Sequence, residues 1–170
     1  MYAATKNVKL IGLGSAVLSA GLLMSTGAFA GGTTPLTVNA HILAVCMVTT
    51  APGTLDFGVI DPSGGANATA SATFVMRCSN GTTSTAATDD NGLHFSVTKR
   101  MQHSVTGTAF LSYAIAYSND IGFAGAGFGG AAATQTVTIS GTITPAQYQN
   151  ALATTGAQLY ADTVTITVNP

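Results

Sequence analysis

Cys46 and Cys78 are the only two cysteines of this 170-residue chain, and with His41, His94 and His103 they are its strongest candidates for metal binding. A protein zinc site draws three or four such ligands together, with short local spacings such as C-x-x-C or H-x-x-x-H. None of the five residues here shows that spacing, so the histidines read as isolated strand or surface residues and no metal is expected. Serine is abundant, but a hydrolase also needs a base and an orienting acid beside its nucleophile. No G-x-S-x-G elbow is present, and the chain reads as a non-enzyme without a cofactor. The glycine-rich run at residues 122–133 lacks the G-K-[ST] ending of a phosphate cradle and has no helix after it. The triplets Asn67-Ala68-Thr69 and Asn80-Gly81-Thr82 match glycosylation acceptors, but such triplets arise by chance in threonine-rich chains, and they are assigned no role.

What the cysteines can do is pair. Lys6 and Lys9 precede an apolar run at residues 10–24, followed by Ala28-Phe29-Ala30. This is the pattern of a secretory signal peptide with its cleavage site, which sets residues 1–30 apart from the fold. The run is too short and too rich in Gly and Ser for a span, which needs about twenty apolar residues. Export through an oxidising compartment makes an even pair of cysteines a disulfide. Closing a loop of about thirty residues contributes roughly 3 to 4 kcal/mol by the chain-entropy estimate.

The exported remainder is one domain's worth of chain. Its charges are Arg77, Lys99 and Arg100 against Asp56, Asp61, Asp89, Asp90, Asp120 and Asp162, so there is no basic patch for nucleic acid. Charged residues are 6% of the chain, far below the roughly 25% of ordinary domains. Hydrophobic residues are 46%, which with repeated β-branched alternation argues for folding over disorder.

The elements that position these residues are strands. Alternation runs through Leu36-Val38-Ala40-Ile42, Thr73 to Val75, Phe95 to Val97, Val137 to Ile139 and Val164-Ile166-Val168, and marks half-buried strands. Turn-forming clusters separate them: Ala51-Pro52-Gly53, Asp61-Pro62-Ser63-Gly64-Gly65, Ser79-Asn80-Gly81 and Asp90-Asn91-Gly92. Many short strands with frequent turns predict a sandwich or barrel. One short helix is expected after Pro145, with Thr144 as its cap, and the run at residues 122–133 is expected to be a flexible surface loop.

The two ends are the informative pair. Residues 160–170 form an alternating strand with no further strand after it. Residues 33–42 alternate as cleanly and then run through Leu43-Ala44-Val45 to Cys46 with no Gly or Pro turn between. If the first strand of the domain begins near Cys46, this leading segment has no loop with which to fold back and is expected to project as an arm. An apolar arm and a sandwich one strand short are both hazards in water, and joining one to the other between subunits removes both by strand addition. Periodicity alone equally allows residues 33–42 to be the first strand of a complete, monomeric domain.

The chain resembles the spore coat protein U family, whose members include major subunits of archaic chaperone-usher pili. The resemblance spans the exported chain. It rests on the alternating segment leading to Cys46; Leu55-Asp56-Phe57-Gly58 followed by Asp61-Pro62; Val75-Met76-Arg77-Cys78-Ser79-Asn80-Gly81; Leu111-Ser112-Tyr113-Ala114-Ile115; Gly141-Thr142-Ile143-Thr144-Pro145; and residues 160–168. It departs from relatives in lacking a tryptophan after the Tyr113 strand and in ending on Pro170.

The resemblance implies an all-β, incomplete immunoglobulin-like sandwich spanning residues 43–170, completed by a donor strand from a neighbouring subunit. Residues 31–42 would be the donor segment, with Leu36, Val38, Ala40 and Ile42 as its inserted side chains. Val164, Ile166 and Val168 would line the acceptor groove, and Cys46 and Cys78 would form the disulfide. The implied partners are identical or related pilin subunits, a periplasmic chaperone and an outer-membrane usher, and the implied destination is a surface fibre serving adhesion or biofilm formation. Two other readings stand beside it: a spore or cell-surface coat protein of the same family, and a secreted monomeric immunoglobulin-like binding domain.

Overall fold

A computed structural model of the chain describes residues 31–170; the expected signal peptide, residues 1–30, lies outside them. The chain divides between Asn39 and Ala40. Residues 31–39 carry no regular secondary structure and their side chains are exposed.

From Ala40 onward the protein is all-β, as the alternation predicts. Its strands are β1 (Cys46–Thr50), β2 (Ala68–Cys78), β3 (Thr88–Asp89), β4 (Lys99–His103), β5 (Phe110–Ser118), β6 (Gln135–Ile143), β7 (Tyr160–Ala161) and β8 (Ile166–Thr167). Six of them form an antiparallel sheet in the order β1-β2-β6-β5-β4-β7, and β3 pairs with β8. The sheet turns over at β5: residues Ala114 to Ser118 pair with β6, whereas Phe110 to Tyr113 pair with β4. One strand thus serves two layers, and the result is an incomplete immunoglobulin-like sandwich.

The core sits between the layers in two clusters. Phe74, Met76, Val137 and Ile139 form the first, and Leu111, Tyr113, Ile143 and Tyr148 the second. Every member except Tyr148 lies on β2, β5 or β6, at positions that alternate inward. Tyr148 comes from α1 (Pro145–Tyr148), the single expected turn of helix. The Gln147 side chain reaches back to accept the Thr144 backbone N–H at 2.7 Å, and Tyr148 donates its hydroxyl to the carbonyls of Gly64 and Ala66.

One expectation needs correction and another is refined. Phe95 to Val97 alternate in sequence but form no strand: they follow a turn at Leu93-His94, and Ser96 and Val97 lie in a bend. Asn91 and Gly92 adopt φ of 66° and 86°, which breaks the extended path, and Phe95 N–H closes back onto the Gly92 carbonyl. Val97 is left exposed. The glycine-rich run at residues 122–133 is an irregular and mostly exposed surface loop, as expected, but residues 122–127 of it are tied down by backbone bonds. Gly125 N–H donates to the Thr82 carbonyl at 2.7 Å, Gly127 N–H to the Cys78 carbonyl at 3.0 Å, and Phe123 packs against the first core cluster. Glycine is required at Gly125, where a Cβ would stand 2.6 Å from the Cys78 carbonyl oxygen.

No helix among the described residues is long and apolar enough to cross a membrane.

Candidate functional site

The feature with most functional content is built around residues 160–169. The chain enters through β7, paired with β4, and leaves through β8, paired with β3. The carbonyls of Thr163, Thr165 and Asn169 accept backbone N–H groups of Leu93, Asp90 and Thr85 at 3.1 to 3.2 Å. Peptide groups alternate sides along an extended chain. The odd-numbered residues therefore bind the neighbouring segment, and those of Val164, Ile166 and Val168 face the opposite edge. No strand pairs with that edge among the described residues.

The side chains of the same three residues point inward: Val164 packs against the second core cluster, Ile166 and Val168 against the first. Along their open edge runs a groove. One end, of about 330 Å³, lies between Val48 of β1 and Val164 with Ile166, floored by Phe74. The other, of about 320 Å³, lies between the segment Pro52 to Phe57 and the same terminal residues, floored by Met101, Tyr113 and Ile139. Pro52, Val164 and Ile166 line both, so the two are continuous. Val168 does not line either.

Across the groove, β1 also has a free edge. Ser79 N–H donates to the Val45 carbonyl, so by alternation the Cys46↔Cys78 and Val48↔Met76 pairs of the ladder are not hydrogen-bonded to each other. The peptide groups of Cys46 and Val48 point outward. Such a pair brings its side chains closest, and here Cys46 and Cys78 are joined as a disulfide with their Cα atoms 4.0 Å apart. The Ser79 hydroxyl fixes the approach to β1, donating to the Leu43 carbonyl at 2.9 Å and accepting the Val45 N–H at 3.2 Å.

Two aspartates, Asp90 and Asp162, hold the terminal wall, and a third, Asp89, braces the segment paired with it. Asp162 accepts the Tyr113 hydroxyl at 2.7 Å and the Leu93 N–H at 3.0 Å. Asp90 accepts the Thr165 N–H at 2.9 Å, a bond that holds its carboxyl below the usual range. Asp89 accepts from Lys99 and, at 2.8 Å, from the Tyr117 hydroxyl. Burial alone raises its carboxyl, but the hydrogen bonds from Lys99, Tyr117 and Asn91 outweigh it and the net shift is downward. Burial, reinforced by these carboxylates, pushes both tyrosine hydroxyls well above their usual value. With these carboxylates engaged, the arrangement offers, among the described residues, an apolar slot with two bare strand edges.

The expected donor residues lie on the exposed surface: Leu36 is 86%, Val38 80% and Ile42 89% exposed, and Ala40 is exposed too. The histidines stay apart in their roles. His103 is buried, its Nδ1 accepting the N–H groups of Val105 and Thr106, so it closes a turn. No cluster of three metal-ligating residues occurs among the described residues.

The sequence profile of the Spore Coat Protein U domain matches residues 32–167. The chain belongs to that family. No curated protein matches it. In this Spore Coat Protein U domain, the roles of the three aspartates, of Phe74 as groove floor and of residues 52–57 as a wall were not read from the sequence. The Asp90-Asn91-Gly92 turn and the Leu55-Asp56-Phe57-Gly58 motif were the visible signals, but neither says which edge of which strand it will face.

Proposed function

We propose that this chain is a structural subunit of a bacterial surface fibre, in which the groove beside residues 163–169 receives residues 33–42 of another copy. The observation that carries this reading is the continuous apolar slot with unpaired strand edges on both sides among the described residues, in a chain that also displays an exposed alternating segment. Insertion pairs the bare peptide groups and buries the alternate side chains, the two contributions of strand addition. Burial of Leu36, Val38 and Ile42, at about 1.5 to 3 kcal/mol each, gives about 5 to 9 kcal/mol before ordering costs.

Five antiparallel steps separate β1 from β7 in the sheet order, so the two edges of the slot run in opposite senses. An inserted strand is then parallel to one and antiparallel to the other. Head-to-tail joining of this kind does not close on itself and builds a filament. Before assembly the bare slot needs a protector, a periplasmic chaperone replaced at an outer-membrane usher, and the finished fibre serves adhesion or biofilm formation. The family description supplies a second reading, in which the same exchange builds a coat instead of a pilus.

The test is to express the exported chain with and without residues 31–42. The wild type is expected to give SDS-resistant ladders at room temperature and the deletion none as a donor. Normal fibres from the deletion defeat the proposal.

A further inference from the structure

The second wall of the slot differs in kind from the first. Residues 51–60 lie over the sheet as an irregular strap, and none of their backbone groups makes a backbone–backbone hydrogen bond among the described residues. The strap is held by side chains: Leu55 packs against the first core cluster, Phe57 and Ile60 against the second. Beneath it lies Gly141, buried within β6, paired with Ala70 on one side and Ile115 on the other. Glycine is disfavoured inside a strand and marks a close approach of another segment. A Cβ at Gly141 would stand 2.7 Å from Cζ of Phe57 and 2.8 Å from Cδ2 of Leu55.

We infer that Gly141 is the positioning residue of the acceptor slot: its missing side chain lets Leu55 and Phe57 seat the strap, whose unpaired backbone then clasps the incoming strand opposite Val164 and Ile166. The inference rests on the donor-strand reading and adds a residue that touches neither donor nor groove directly. A larger residue at Gly141 forces something to move. β6 is laddered on both edges and cannot shift without breaking two sets of hydrogen bonds, whereas the strap has no ladder to lose. The atoms that a larger residue meets are the ends of the Leu55 and Phe57 side chains, so a valine drives these two anchors from their seats, and the strap they hold lifts with one wall of the slot. The exposed arm and the β1 root that carries it are untouched, so the variant loses acceptance and keeps donation. A residue that merely supports folding affects both alike.

The experiment uses purified exported chains and a synthetic peptide of residues 31–45 as the probe. Gly141→Val is expected to bind the peptide at least tenfold more weakly than wild type, and Gly141→Ala to fall between. Tagged Gly141→Val mixed into assembling wild type is expected at fibre ends only, because it donates its arm and then accepts nothing. Tag distributed along the shaft overturns the inference and leaves the donor-strand reading intact; a wild type that neither binds the peptide nor forms fibres sinks both. Should Gly141→Val fail to fold, Phe57→Ala unseats the strap from the other side, and the same ends-only pattern is expected. Shaft labelling or unchanged peptide binding by Phe57→Ala overturns the inference.

Discussion

The two walls of the groove are made by different physics. Residues 163–169 are held by a backbone ladder and by Asp89, Asp90 and Asp162, which grip the segment and its neighbours through charged and polar bonds. Residues 51–60 are held by Leu55, Phe57 and Ile60 alone. The first wall is directional, because hydrogen bonds fix its register and so fix which side chains face the slot. The second is adjustable, because packing fixes its position while its peptide groups stay available. A slot that must accept a strand gains from having one wall that sets register and one that can follow.

The largest expected effect separates the walls by mutation. Asp89→Ala leaves the Tyr117 hydroxyl without its partner and Lys99 with the Asn91 side chain alone; the Asp89 side chain is 8% exposed, and breaking such a pair costs about 3 kcal/mol. Urea denaturation is expected to show this loss, and a change below about 0.5 kcal/mol removes the polar account of the terminal wall. Next comes Phe57→Ala on the strap, where loss of a half-buried ring costs about 2 kcal/mol, measured the same way. This loss should be independent of pH.

Acid sharpens the contrast further. Asp89 has a carboxyl lowered by its hydrogen-bond donors. Its stabilisation is therefore complete above the unfolded-state value of about 3.9 and is lost as pH falls through the lower, folded value. The wild type is expected to lose stability below pH about 4, with a shallower slope in Asp89→Ala. Equal slopes in the two chains contradict the assignment. The smallest effect is Asp56→Ala, on the exposed face of the strap, where its main bond is to the nearby Gly58 N–H. It should change stability by no more than about 0.5 kcal/mol, and a larger loss means the strap is held by more than its apolar side chains.

Much of the fold was legible because period-2 alternation is a local record of a two-faced environment. Thr73 to Val75 and Val137 to Ile139 read as strands and are strands, and Thr144 with Pro145 read as a helix start and is one. Phe95 to Val97 carry the same alternation and form no strand, since two positive-φ residues just before them redirect the chain. The glycine-rich run read as loose is fastened to residues 78–84 by backbone bonds. Such bonds need no side chain and leave no mark in composition.

By itself the sequence determined several of the strand-forming segments, the pairing of Cys46 with Cys78 and the apolar alternation of residues 33–42 and 164–168. These follow from residue type and spacing along one chain. Only the tertiary structure decided that the edge of Val164 and Ile166 stays open, that Asp90, Asp162 and the backbone of residues 85–93 close the other edge, and that Gly141 makes room for Leu55 and Phe57. Each of these depends on which segment lies beside which, and distance through space is not written in distance along the chain.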